Sequence, residues 1–153
     1  MNTLERKMSD RLVELRDKYH VTAVKAEFEA EGTRMEEAMR LKEISMRSGL
    51  DLTIKIGGCE ALKDMFEAAS LGTRYLVAPM VESAFALQKF LSAIDVAFTN
   101  GLREAMEFYV NIETITACQN FDEMLKIPEI GRLTGIVIGR HDLTMSMGLP
   151  LHE

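Results

Sequence analysis

The chain has 153 residues, enough for one domain with a substantial core and too few for two. Hydrophobic residues make up 47% and charged residues 27%, an ordinary globular balance without an apolar run of the ~18 residues that a membrane span needs. With 18 Lys and Arg against 24 Asp and Glu the formal net charge is -6, so nucleic acid and anionic membrane have no electrostatic case as partners.

The first predicted element is a helix: Leu4, Met8, Leu12, Leu15 and Tyr19 recur at spacings of three or four and mark one apolar face. Residues 21–30, VTAVKAEFEA, read as a strand, followed by a helix over roughly 33–48 that Gly49 stops. The unit then repeats. LDLTIKI (50–56) is β-rich and runs into Gly57 and Gly58, and the next helix carries Leu62, Met65, Phe66 and Ala69 on one face. RYLVAPM (74–80) is a third strand ended by Pro79, and its helix presents Leu87, Phe90, Leu91 and Ile94. MEFYVNIE (106–113) is the fourth strand, followed by a helix with Ala117, Phe121, Met124 and Leu125 on one face. LTGIVIG (133–139) is the fifth, with DLTMSM opening the last helix.

Strand centres near Lys25, Ile54, Val77, Val110 and Val137 recur about every 23–33 residues, the length a parallel βα unit requires. The fold class is therefore α/β. The nearly continuous apolar character of YLVA and IVIG predicts strands buried on both faces. Five βα units suit either a doubly wound open sheet or most of an eight-stranded barrel, which typically needs ~250 residues. Gly57-Gly58 is not a G-x-G-x-x-G fingerprint, and the first βα turn, EAEGTR, is acidic, so a dinucleotide fold is poorly supported. Cys59 and Cys118 form no CxxC pair and predict reduced thiols. Residues 1–19 are charged throughout and lack a signal-peptide core; cytoplasmic location is the expectation.

Polar residues gather where the strands end. Glu27, Glu29 and Glu31 close the first strand and Lys55 the second. Glu82 and Ser83 follow the third, Asn111 and Glu113 close the fourth, and Arg140, His141 and Asp142 follow the fifth. Both parallel architectures bind ligands at this edge. Asn111 and Glu113 sit within an apolar strand and, two residues apart, share a face. Carboxylates from two strand ends, with no Cys or His cluster, suit a hard cation held by oxygen ligands, which makes Glu113 and Asp142 the metal candidates. The competing reading is that Asp142 caps the last helix. Lys55, ahead of two glycines whose bare backbone permits close approach, is a candidate for holding an anion. The competing reading leaves it in solvent. No His stands near Ser83 in the sequence, so a serine triad is not expected.

The strings VKAEFEAEGTR (24–34), KIGGCEA (55–61), VAPMVES (77–83), VNIETITA (110–117) and IGRHDLTMSMGLP (138–150) resemble, in the same order, the HpcH/HpaI aldolase and citrate lyase beta-subunit family of the phosphoenolpyruvate/pyruvate barrels. The resemblance implies a partial TIM-type (β/α)8 barrel of about five parallel units, forming one incomplete domain over 1–153 with an N-terminal helix over 1–20 and βα repeats over 21–150. It implies Mg²⁺ or Mn²⁺ on Glu113 and Asp142, together with a pyruvate-like oxoacid or acyl substrate. The implied activity is carbon–carbon lyase or aldolase chemistry through a metal-stabilised enolate. The family's substrate Arg corresponds to Lys55, a point charge without the bidentate fork. Its Gln two residues before the ligand Glu corresponds to the shorter Asn111. The Glu-His pair of the aldolases has no counterpart in Glu27-Phe28-Glu29-Ala30, which leaves Glu29 as the residue to substitute for the base. Lys55, Gly57, Gly58, Asn111 and Arg140 are the implied substrate contacts. Five strands in place of eight imply a homo-oligomer or a completing partner chain. The alternative is a non-catalytic or partner-dependent fragment that binds a small oxoacid or only assembles; a superficially similar open-sheet binding protein is a third possibility.

Overall fold

The computed structural model describes residues 1–150, apart from the side chain of Asn100; 151–153, with His152 and the end of the expected domain, lie outside the described residues. Helix α1 (Thr3–Tyr19) opens on a reciprocal cap, in which Asn2 accepts from the Glu5 N–H and the Glu5 carboxylate accepts from the Asn2 N–H. Then β1 (Ala23–Glu27), α2 (Met35–Arg47), β2 (Asp51–Lys55), α3 (Leu62–Ser70) and β3 (Tyr75–Ala78) alternate. They are followed by α4 (Ala84–Ala97), a short α5 (Asn100–Glu104), β4 (Glu107–Ile112), α6 (Ile115–Gln119), α7 (Phe121–Met124), β5 (Gly135–Ile138) and α8 (Arg140–Ser146).

The five strands form one parallel sheet in sequential order, β1-β2-β3-β4-β5. A doubly wound sheet requires a point where the order reverses. Here every strand lies beside the next in sequence, which is the winding of a (β/α)8 barrel. The choice left open by the sequence is thus made by topology.

Alternation along the strands sorts the side chains. Leu52 and Ile54, Leu76 and Ala78, and Phe108, Val110 and Ile112 are buried on the helix side against Met65, Leu87, Phe90, Ile94 and Met124. The other face carries Lys25, Glu27, Thr53, Lys55, Tyr75, Tyr109, Asn111 and Glu113, and is the side on which a site can form. Tyr75 and Tyr109 sit on this second face, edge to face at 6.3 Å, with Arg74 over Tyr75. At the opposite end from the candidate residues, Arg74 pairs with both Asp51 and Glu107 and ties three strands together.

Several expected burials are corrected. β5 is not buried on both faces: Ile136, Val137 and Ile138 are 45%, 40% and 53% exposed, because β5 is an edge strand of the described sheet. Along α1, Leu4, Met8, Leu15 and Tyr19 remain exposed. This helix is fastened largely by polar ties at the sheet's margin, through the Glu5–Arg40 ion pair, the Ser9–Ser48 hydroxyl contact and an Arg16 hydrogen bond to the Ser48 carbonyl. Phe66 and Leu125 are also exposed. The helix expected from Ala117 to Leu125 breaks at Asn120 into α6 and α7, which moves Leu125 off the buried face. Among the described residues no helix is long and apolar enough to cross a membrane.

Candidate active site

A cleft of about 860 Å³ opens at the carboxyl edge of the sheet. Lys25, Glu27 and Lys55 from β1 and β2 line one side, and Asn111, Glu113, Gly139, Arg140, His141 and Asp142 the other. Glu113 follows β4 and is only 2% exposed. Burying a carboxylate is costly unless its lone pairs are used. The Glu113 Oε1 accepts from the Met80 N–H at 2.9 Å, and Oε2 accepts from the Asn111 Nδ2 at 2.8 Å. Met80 turns that N–H inward by adopting a left-handed backbone, φ 50°, directly after Pro79. Gly139 lets β5 approach, since a Cβ there would lie 2.5 Å from the Glu113 Cβ and nearer still to Oε2.

Asn111 is 5% exposed, and with its amide nitrogen committed to Glu113 its Oδ1 has no hydrogen-bond partner among the described residues. An orphaned acceptor beside a buried carboxylate calls for a donor or a cation. Asp142 lines the same cleft from the first turn of α8 and makes no side-chain hydrogen bond or ion pair among the described residues. It is not the helix cap: α8 begins at Arg140, with Gly139 in the cap position. Glu113, Asp142 and Asn111 line one cleft and bring oxygen donors there, the donor chemistry that a hard divalent cation keeping several waters accepts. No three His, Cys, Asp or Glu side chains of the described residues converge on one point, so protein ligands would fill only part of the shell.

Lys55 is not in solvent. Its side chain is 11% exposed and its Nζ lies 3.4 Å from the Glu27 carboxylate, whose other oxygen accepts from Lys25. Burial pushes the Glu27 carboxyl up, but the Lys25 hydrogen bond and the charges of Lys25 and Lys55 outweigh it and hold the group below the usual carboxylate range. Glu27, which the sequence offers only as one of three carboxylates closing the first strand, is thus a cleft residue, and its place two residues after Lys25 on one face of the strand is the signal for it.

Glu29, Gly57 and Gly58 lie elsewhere. They line a neighbouring groove with Glu60 and Asp64, where the Gly57 N–H donates to Asp64 at 2.7 Å and the Glu29 side chain fills the space a Gly57 Cβ would need. Arg140 is exposed at the cleft's rim. Glu82 and Ser83 serve the fold: Thr114 donates to Glu82, and Ser83 caps α4 by accepting from the Ala86 N–H.

The sequence model of the HpcH/HpaI aldolase/citrate lyase family matches residues 32–153. The chain belongs to this family. No curated protein matches it. Among solved structures, an HpcH/HpaI aldolase from Desulfitobacterium hafniense DCB-2 superposes with a TM-score of 0.71 at 13% identity, over 92% of this chain and 61% of that one. The citrate synthase SbnG gives 0.72 at 15% identity, over 94% and 62%. An HpcH/HpaI aldolase/citrate lyase family protein from Burkholderia cenocepacia J2315 gives 0.72 at 12% identity, over 97% and 72%. The likeness is one of fold, and the chain spans about three fifths of the length of the first two structures.

Proposed function

We propose that this chain carries the site of a metal-dependent carbon–carbon lyase or aldolase that acts on a pyruvate-like oxoacid or acyl substrate in the cytoplasm. The observation that carries the reading is the buried Glu113 beside the unsatisfied Asn111 Oδ1, in a cleft that Asp142 and Lys55 also line. Glu113 and Asp142 would hold Mg²⁺ or Mn²⁺. Once bound, such a cation polarises a keto oxygen and stabilises the negative charge that develops as the bond cleaves. The chain's own residues do the rest. Lys55 attracts the substrate carboxylate, Arg140 adds positive charge at the rim, and Asn111 offers Oδ1 to a donor on substrate or water. Met80 and Asn111 keep Glu113 oriented through their N–H groups. Glu29 could serve as base only for a substrate that reaches over Gly57 and Gly58 into the neighbouring groove.

Titration with Mn²⁺ and a coupled assay for pyruvate release from a 4-hydroxy-2-oxoacid test the reading. The parent chain should bind Mn²⁺ and lose turnover on chelation, and Glu113→Gln and Asp142→Asn should each weaken Mn²⁺ binding by at least about tenfold. Unaltered binding in both variants, or none in the parent, refutes the metal site. A second reading is that the chain works only with a partner or a second copy. It is favoured by the exposed Ile136 and Ile138 of β5, an open edge of the kind that pairs with other chains. Mn²⁺ binding without turnover, in a chain that sediments as an oligomer, would select it.

A further inference from the structure

The amino-terminal side of the cleft holds a charged trio, of which the proposed chemistry uses only Lys55. Glu27 and Lys55 are direct cross-strand partners in the β1–β2 ladder. Lys25, two residues before Glu27, shares its face. The Glu27 carboxylate is divided between them: Lys25 donates to Oε1, and the Lys55 Nζ stands 3.4 Å from Oε2. That second separation exceeds the roughly 2.7–2.9 Å of a full charge-assisted hydrogen bond. Lys55 is held in place without being saturated, and an ammonium has three protons to give.

The arithmetic of charge matters here. Glu27 with Lys55 alone would sum to zero and offer an anion little. With Lys25 engaged on the other oxygen, the trio carries two positive charges against one negative. Lys25 is half exposed, whereas Lys55 and Glu27 are almost enclosed, at 11% and 9% of their side-chain surface. Lys25 and Lys55 both line the cleft, across from the carboxylates Glu113 and Asp142, and Lys55 is the enclosed one of the two. A buried ion pair is weak as a stabilising device, because desolvation offsets the attraction. Its placement in the lining of a cleft gives it another use.

We propose that Glu27 is a positioning residue: with Lys25 drawing off part of its charge, it holds the Lys55 ammonium at the carboxyl edge of β2, aimed at the carboxylate of an oxoacid bound between Lys55 and Glu113. This inference rests on the oxoacid reading of the cleft.

The test uses pyruvate as probe, titrated calorimetrically into the whole chain with Mn²⁺ present, and Mn²⁺ titrated separately. Glu27→Gln keeps the shape and removes the charge. It should weaken pyruvate binding by about tenfold, the scale of a lost hydrogen bond to a charged group, while Mn²⁺ affinity stays as in the parent. Glu27→Asp should recover part of the loss. In a Lys55→Ala background, Glu27→Gln should have no further effect, because a positioning residue acts through the group it positions. If Glu27→Gln does not fold, as judged by its melting curve, Glu27→Asp takes its place, with weaker pyruvate binding and parental Mn²⁺ binding expected. Equal pyruvate affinity in parent and Glu27 variant, or losses that simply add to those of Lys55→Ala, overturns this inference and leaves the oxoacid reading standing. A parent chain that binds Mn²⁺ but no pyruvate overturns both.

Discussion

Gly139→Ala isolates the contact on which the Glu113 arrangement depends. Gly139 has φ -80°, so alanine meets no backbone objection. The added Cβ would stand 2.5 Å from the Glu113 Cβ, about 0.9 Å inside the ordinary contact limit of 3.4 Å, and nearer still to Oε2. The Glu113 Cβ cannot swing aside as a side-chain tip can, so β5 must part from the segment after β4. Overpacking of this kind costs about 1–3 kcal/mol. Alanine returns about 0.4–1 kcal/mol by stiffening the unfolded chain. The net loss is therefore roughly 0–2.6 kcal/mol, read as a lower urea midpoint at unchanged slope. A displacement near 0.9 Å is also several times the ~0.2 Å tolerance of metal–ligand distances, so Mn²⁺ affinity should fall with it. Gly101→Ala is the control: its Cβ meets nothing within 4 Å, and in the helix α5 it should gain up to about 1 kcal/mol. A Gly139→Ala chain with parental urea midpoint and parental Mn²⁺ affinity would refute the packing argument.

Two further perturbations follow from backbone and charge. Met80 holds φ 50°, which costs a non-glycine residue roughly 1–2 kcal/mol, so Met80→Gly should leave the urea midpoint unchanged or raise it slightly, while the β-branched Met80→Val should lower it. Glu27 is held below the usual carboxylate range, so the stability it contributes is present above an unfolded value of about 4.3 and is lost as pH falls through its lower folded value. Glu27→Gln should accordingly flatten the acid limb of the stability curve below that pH, and an unchanged limb in acid titration would argue that the carboxylate is not paired as described.

The five strands and the parallel class were legible because short apolar runs, the turn residues that bound them and their recurrence at the length of a βα unit can all be read along the chain. The winding was not, since sequential and reversed orders use the same βα units, and only the ladder partners separate them. Burial was misjudged where it depends on what lies alongside. IVIG has the composition of a doubly covered strand, yet β5 ends the described sheet and its apolar residues stay in view. At α1 the regular spacing of Leu4, Met8, Leu15 and Tyr19 says which residues share a face but not how far a neighbour covers that face. Cap chemistry misled at α8, where Asp142 is a good capping residue by type but the helix had already begun at Arg140.

The pair Glu27 and Glu29 shows where sequence reasoning about a site loses resolution. Both carboxylates close the first strand, and both fall on the same face by parity. Two residues along a strand are about 6.6 Å apart. β1 ends at Glu27, three residues before the expected limit of 30, because the chain turns there: the Thr33 N–H returns to the Glu27 carbonyl and the Gly32 N–H to that of Glu29. Glu27 therefore stays in register with Lys55 inside the ladder, while Glu29 is carried past the strand end and lies over Gly57. What separates a residue facing Lys55 from one facing a different groove is where the turn closes on the strand end. A β1 extended by two residues in the same register would leave Glu27 opposite Lys55 and bring Glu29 into the ladder opposite Gly57; only a two-residue slip of the whole strand would put Glu29 in Glu27's place.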